Sequence, residues 1–230
     1  MGAVMALVLP FAVLGKEPKA EIDPAVLTEG FLAAHPDLRW RREGAHSFEK
    51  GNYPVALKQF QRAAKYADKA SQAMVADIYW RGLGVPQDRV LGYIWMDLAA
   101  ERLYQDFVVH RERYWNQMTE TERASAIQRG QALYAEYGDE VAKPRLETIL
   151  RRAARNVTGS RTGFVGNVTI IPFTGPFAGS GMTLSGDQYY AKKYWEPEKY
   201  WQLQDEIWKA PVREGQVEVG DPTTVREEKK

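Results

Sequence analysis

Apolar residues recur at helical spacing through most of the chain, and the recurrence itself repeats. Val75, Ile78 and Tyr79 fall three and four residues apart, which lays one apolar stripe along a helix. Tyr93 and Met96 build the next stripe, and Leu57 and Phe60 an earlier one. Leu57 and Tyr93, Phe60 and Met96, Ala63 and Ala99, and Ala64 and Ala100 each lie 36 positions apart (99 − 63, for example). A fixed period of this size predicts stacked helical hairpins, because no hairpin of that length buries its apolar flank alone.

The positions between stripes show where helices stop and start. Gly82 and Gly84 lack a Cβ, so either can take the left-handed conformation that closes a helix, and Pro86 discourages continuation. Asp88 is expected to cap the next helix, with Asn52 in the equivalent place one period earlier. Gly51 breaks an earlier helix that runs from near Asp37, a second expected cap, past Trp40 toward Phe48; Pro54 suits the first turn of its successor. Ala99 and Ala100 are small enough for neighbouring helices to approach closely. Further helices are expected over Val108 to Met118, from a Thr119/Glu122 capping box to Gly138, and from Pro144 through Leu146, Ile149, Leu150 and Ala153.

The hairpin from Tyr79 to Ala100 resembles the Sel1-like repeat family, a relative of the tetratricopeptide repeats. Tyr79, Gly82, Gly84, Val85, Asp88, Trp95, Ala99 and Ala100 match that family's pattern in register, and Gly44 to Tyr66 reads as a degraded copy. Ser71, Val75, Ala76 and Gly92 depart from it. Leu103 replaces the glycine that commonly closes the repeat, so a regular third repeat is not expected. The resemblance implies an all-α fold: an α-solenoid of Sel1-like helical hairpins over residues 37–104, capping helices over 105–155, and an irregular glycine- and aromatic-rich extension over 156–210. It also implies a non-enzymatic scaffold that docks a protein partner on the concave face formed by the first helices of the hairpins.

Beyond Asn156 the pattern changes. Gly159, Gly163, Gly166, Gly175, Gly179, Gly181 and Gly186, with Pro172 and Pro176, exclude a continued helical array. Val168 to Ile171 reads as a strand, and Pro197 as the first turn of a helix carrying Trp201, Ile207 and Trp208. The aromatic run Tyr189, Tyr190, Tyr194, Trp195, Tyr200, Trp201 and Trp208 has two readings. It anchors the extension on the array, or it forms a ring-lined platform for a sugar or peptide, as in an envelope enzyme or glycan-binding module. Candidate partner contacts are therefore Trp80 and Trp95 in the array and Trp195 and Trp201 in the extension, with Tyr79 and Tyr93 expected in the core.

The ends carry other chemistry. Ala3 to Leu14 is apolar, too short to span a bilayer comfortably, and followed by Gly15, Lys16 and Glu17. Residues 1–15 therefore read as a signal segment, although no basic side chain precedes the run. This predicts a periplasmic or secreted protein; a buried N-terminal helix or a retained anchor is the other reading of the segment, and the cytoplasm the other location. Residues 16–36, with Pro18, Pro24 and Pro36, read as a linker, and residues 211–230 as a polar, disordered tail.

Composition narrows the function classes. The chain has 230 residues, a formal charge of +1 and no cysteine. That balance offers no bulk attraction for nucleic acid or an anionic membrane, and excludes disulfides and thiolate metal sites. His35, His46 and His110 lack the helical spacing of a zinc pair, no serine sits in a nucleophile elbow, and Gly179-Ser180-Gly181 lacks the lysine of a phosphate loop. No catalytic residue, metal or cofactor is expected. Arg39, Arg41 and Arg42, and Arg151, Arg152 and Arg155 with Arg161, read as solvated helix faces rather than an anion site.

Overall fold

The computed structural model describes residues 22–157, 169–171, 181 and 183–209. The expected signal segment, the tail, and the stretch around Gly159 to Gly166 lie outside the described residues. Helices dominate: α1 (Glu29–Ala34), α2 (Pro36–Glu49), α3 (Tyr53–Ala64), α4 (Lys69–Arg81), α5 (Arg89–Ala99), α6 (Gln105–Gln117), α7 (Glu120–Tyr137) and α8 (Asp139–Val157). Strands β1 (Thr169–Ile170) and β2 (Leu184–Ser185) pair antiparallel, ahead of α9 (Gly186–Tyr189), α10 (Lys192–Trp195) and α11 (Pro197–Trp208).

Helices α2 and α3 form one hairpin and α4 and α5 the next. The second pair runs antiparallel: the end of α4 meets the start of α5 at Trp80 and Gly92, while Lys69 at the start of α4 reaches the Leu98 carbonyl near the end of α5. Their joint core comprises Leu57, Phe60, Val75, Ile78, Trp95, Met96, Leu98, Ala99 and Ala100, all buried. The solenoid expected from the sequence is thus present.

The 36-residue period extends to the backbone. Helix α6 repeats α4 at both ends (105 − 69 and 117 − 81). Ala67 and Leu103, also 36 apart (103 − 67), both adopt left-handed conformations, at φ 61° and 57°. Leu103 therefore occupies the backbone state of the absent glycine with its side chain 73% exposed. Such a conformation costs a residue with a Cβ roughly 1–2 kcal/mol. Leu103→Gly is expected to stabilise the chain by about 1 kcal/mol once the greater freedom of unfolded glycine is deducted. A higher urea midpoint at constant m-value would show it.

The period thus runs through α6, past Leu103 where the sequence suggested that it ends. The turn at Met118 and Thr119 is short, and α7 packs mainly on α5, where Tyr137 meets Trp95 and Ala126 meets Ile94. The capping box at Thr119 and Glu122 is formed in both directions, so α7 closes the open flank of the second hairpin with a satisfied start.

Three sequence expectations change. Pro144 does not start a helix; it lies inside α8, which begins at Asp139 directly after Gly138. Asp37 is not a cap but a buried residue in the first turn of α2. The expected linker over 16–36 is folded from Ile22 onward: Val26, Phe31, Leu32 and His35 are buried. Its partners are remote in sequence. Phe31 lies edge-on to Tyr189, Tyr194 and Trp195, so the N-terminal arm and the C-terminal unit α9–α11 share a second core.

Candidate interaction surface

The turn between α4 and α5 shows why its two glycines differ. Gly82 ends α4 in the left-handed conformation at φ 69°. Gly84, at φ 65°, lies so close to the preceding hairpin that an added Cβ would sit 2.8 Å from the Pro54 side chain. One glycine turns the chain and the other lets the turn seat on α3. Asp88 then caps α5 by accepting from the Leu91 amide at 2.8 Å, and its other oxygen accepts from Arg129 on α7.

This turn presents Trp80. The ring is half-buried, stacked on Tyr114 of α6 at 3.9 Å and 4°, with the Arg89 guanidinium 4.8 Å from its centroid. Trp115, also half-buried, lies 5.0 Å from Tyr93 and carries the Arg123 guanidinium at 5.0 Å. Arg123 is fixed there by donating to the Trp115 carbonyl. Trp40 on α2 carries the Arg62 guanidinium at 4.5 Å and that of Arg39 at 5.2 Å. Each of α2, α4 and α6, the helices that open successive repeats, therefore holds one half-exposed tryptophan under an arginine. Burial, with Asp97 nearby, pushes the Tyr93 hydroxyl up to about 12, so it is a neutral donor at physiological pH.

The other candidates divide by burial. Trp95 is 3% exposed, edge-on to Tyr137, because α7 covers the face that carries it; it is a core residue and not a partner contact. Trp195 is 6% exposed and its indole N–H donates to the Tyr189 carbonyl, so it too is excluded as a contact. Trp201 is half-buried, with its N–H donating to Glu147 of α8 and the Arg102 guanidinium and Lys143 ammonium against its ring. Tyr79 and Tyr93 are half-buried rather than core. Since Tyr189, Tyr194 and Tyr200 are buried as well, most of the aromatic run anchors the extension and leaves no row of open rings.

Sequence reasoning singled out Trp80 as a candidate and passed over Trp40, Trp115 and the arginines over them. The position of Trp115 was available: it stands one residue before the place 36 beyond Trp80.

Among the described residues no group of three or more His, Asp or Glu side chains is arranged to hold a metal, and no helix is long and apolar enough to cross a membrane. His35 is buried, and His110 is half-buried on α6, where burial pulls its pKa down. Of the basic clusters, Arg39 is paired with Glu43, Arg41 with Asp68 and Arg151 with Glu147. Arg151, Arg152 and Arg155 line, with Thr148, a cavity of about 460 Å³ on the last turns of α8.

No protein-family model matches the chain, and no curated protein matches it. Among solved structures it is similar to c5321, described as a protective antigen present in uropathogenic Escherichia coli strains displaying an SLR fold. The identity is 23% and the TM-score 0.42, over 50% of this chain and 26% of c5321, so the similarity spans about a quarter of that protein. The likeness of Tyr79 to Ala100 to the Sel1-like repeats stays a resemblance.

Proposed function

We propose that this chain is a non-enzymatic protein-interaction scaffold of the Sel1-like type, acting in the cell envelope. The single observation that carries the reading is the recurrence of an arginine-covered, half-exposed tryptophan on α2, α4 and α6. Tryptophan and arginine dominate the binding energy of protein interfaces, because a wide ring and a planar cation each offer large contact at small entropic loss. Here stacking on Tyr114 and the Arg123 bonds to the Trp115 carbonyl already fix these groups, so little order remains to be imposed on binding. The apolar run from Ala3 to Leu14 and the cysteine-free composition support the envelope as the compartment.

The test is co-purification from the native cell with the full chain, followed by titration of the recovered partner. Trp80→Ala and Arg89→Glu are each expected to weaken binding about 30-fold or more, with the helical circular-dichroism signal unchanged. Trp201→Phe should leave it alone. Binding or turnover of peptidoglycan fragments, abolished by Trp201→Ala and untouched by Arg89→Glu, would instead establish the glycan-directed reading. The mass of the protein from fractionated cells checks the compartment, with cleavage after Gly15 as the expected result.

A further inference from the structure

Helix α8 turns its two faces to different surroundings. Leu146 and Leu150 are fully buried with Tyr200, and Ala153 and Ala154 pack on the core shared by the N-terminal arm and α9–α11. The opposite face carries Thr148, Arg151, Arg152 and Arg155, which line the open cavity of about 460 Å³. Residues three and four apart are neighbours on a helix surface, so three guanidinium groups converge within little more than one turn. The core behind α8 holds that turn in place.

Their partners set these arginines apart. Elsewhere Arg41 pairs with Asp68, Arg129 with Asp88, Arg145 donates to the Lys65 and Glu136 carbonyls, and Arg62 lies over Trp40. Among the described residues only Arg42, Arg113, Arg152 and Arg155 have no ion pair, hydrogen bond or ring contact, and two of them line the cavity. Arg151 donates to Glu147 at 3.0 Å, and the other oxygen of Glu147 accepts from the Trp201 indole. That carboxylate is committed twice and does not serve Arg152 or Arg155.

The helix itself does not account for the charge. Carbonyls at a helix C-terminus attract cations within the last turn, which here includes Arg155 alone. Arg151 and Arg152 stand earlier, where that field has faded, and like charges at these spacings repel. Three guanidinium groups less one carboxylate leave +2 at one spot (3 − 1). The Thr148 hydroxyl donates to the Pro144 carbonyl, so the donors that remain for a ligand are guanidinium N–H groups. Their planar forks match the oxygens of a phosphate two at a time.

We propose that this cavity binds a phosphate monoester, with Arg152 and Arg155 gripping the phosphate and Arg151, braced by Glu147, completing the positive charge. A dianion balances the whole +2, whereas a single carboxylate balances half. The volume exceeds that of a phosphate alone and falls among small-molecule sites, which run from about 300 to 1,000 Å³, so it admits part of the molecule that bears the group. Soluble molecules and lipid headgroups both carry such a phosphate. This inference is independent of the scaffold reading.

Calorimetric titration of the full chain at about 20 mM salt keeps screening weak, and a pH of about 7.5 keeps a phosphate monoester doubly charged. Glycerol 3-phosphate is the soluble probe, and phosphatidylcholine vesicles containing phosphatidic acid are the lipid probe. Arg152→Gln/Arg155→Gln removes the two unpartnered guanidinium groups from exposed positions, and Arg42→Gln/Arg113→Gln removes the same charge elsewhere on the surface. Binding should weaken about tenfold or more in the first variant and match wild type in the second. Such a pattern with vesicles alone identifies a headgroup as the ligand; with glycerol 3-phosphate, a soluble molecule. Four results would overturn the proposal: an unchanged first variant, equal weakening in both variants, acetate bound as tightly as glycerol 3-phosphate, or neither probe bound by wild type below about 10 mM phosphate.

Discussion

Lys69→Met is expected to cost about 3 kcal/mol of unfolding free energy, as removal of one member of a buried ion network does. The Lys69 side chain is 1% exposed, at the start of α4. Its ammonium donates to the Leu98 carbonyl at 2.9 Å, to Glu101 at 2.7 Å and to Gln72 at 3.1 Å, and lies 3.0 Å from Asp139. Arg102 meets the same Asp139 carboxylate through two nitrogens, at 2.6 and 2.9 Å, and spends another bond on the Ala67 carbonyl. The network therefore ties the start of α4, the end of α5 and the start of α8 at one point. Methionine keeps the apolar stem but removes the cation that faces Glu101 and Asp139.

The two partners respond in opposite ways. Burial works against the charged form of Asp139, but the hydrogen bond and charge of Arg102, then those of Lys69, overcome it and hold the carboxyl well below the usual range. At Lys69 burial prevails over the carboxylates, with Arg102 adding repulsion, and the ammonium is pulled down. The favourable side of the network thus lies in Asp139, which two cations face. A carboxyl depressed in the fold contributes stability above its unfolded value and loses it as pH falls. The gap between wild type and Lys69→Met should therefore narrow as pH drops below about 4. Urea unfolding at neutral and acid pH checks this; a gap under about 1 kcal/mol at pH 7, or one constant into acid, sinks the assignment.

Local chemistry was legible in the sequence. Gly82, Asp88, Thr119 and Glu122 act within four residues of their partners, and each behaves as its residue type demands. What acts at long range was not. Pro24 and Pro36 suggested a linker, because nothing near them reveals that Phe31 packs on rings more than 150 positions away. The continuation of the period into α6 was hidden by Leu103, which adopts a glycine's backbone state against its own preference. Among the site residues, Trp95 and Trp195 were misplaced for one reason: a tryptophan pattern gives a helix face, but the element that covers it, α7 or the N-terminal arm, lies elsewhere in the chain. Trp80 was legible because the turn that presents it is built from its immediate neighbours.

The second large effect lies in the first hairpin, where Phe60→Ala is expected to cost about 3–5 kcal/mol. Phe60 is 1% exposed, in the core shared by both hairpins. Its ring presses on α2 at Gly44 so closely that a Cβ there would sit 2.6 Å from two ring carbons. Gly44 is thus a glycine inside a helix that gives up about 1 kcal/mol of helix preference in exchange for the ring's approach. Gly44→Ala alone should lose about 1–3 kcal/mol, since the ring must move within a packed core. In the Phe60→Ala background the same substitution meets no ring, fills part of the space, and recovers the helix preference. It should then be neutral or stabilising, so the two changes couple by about 2 kcal/mol or more across a double-mutant cycle. Additive losses would mean that Gly44 and Phe60 do not meet, and with them would go the close packing of α2 on α3 that founds the stack.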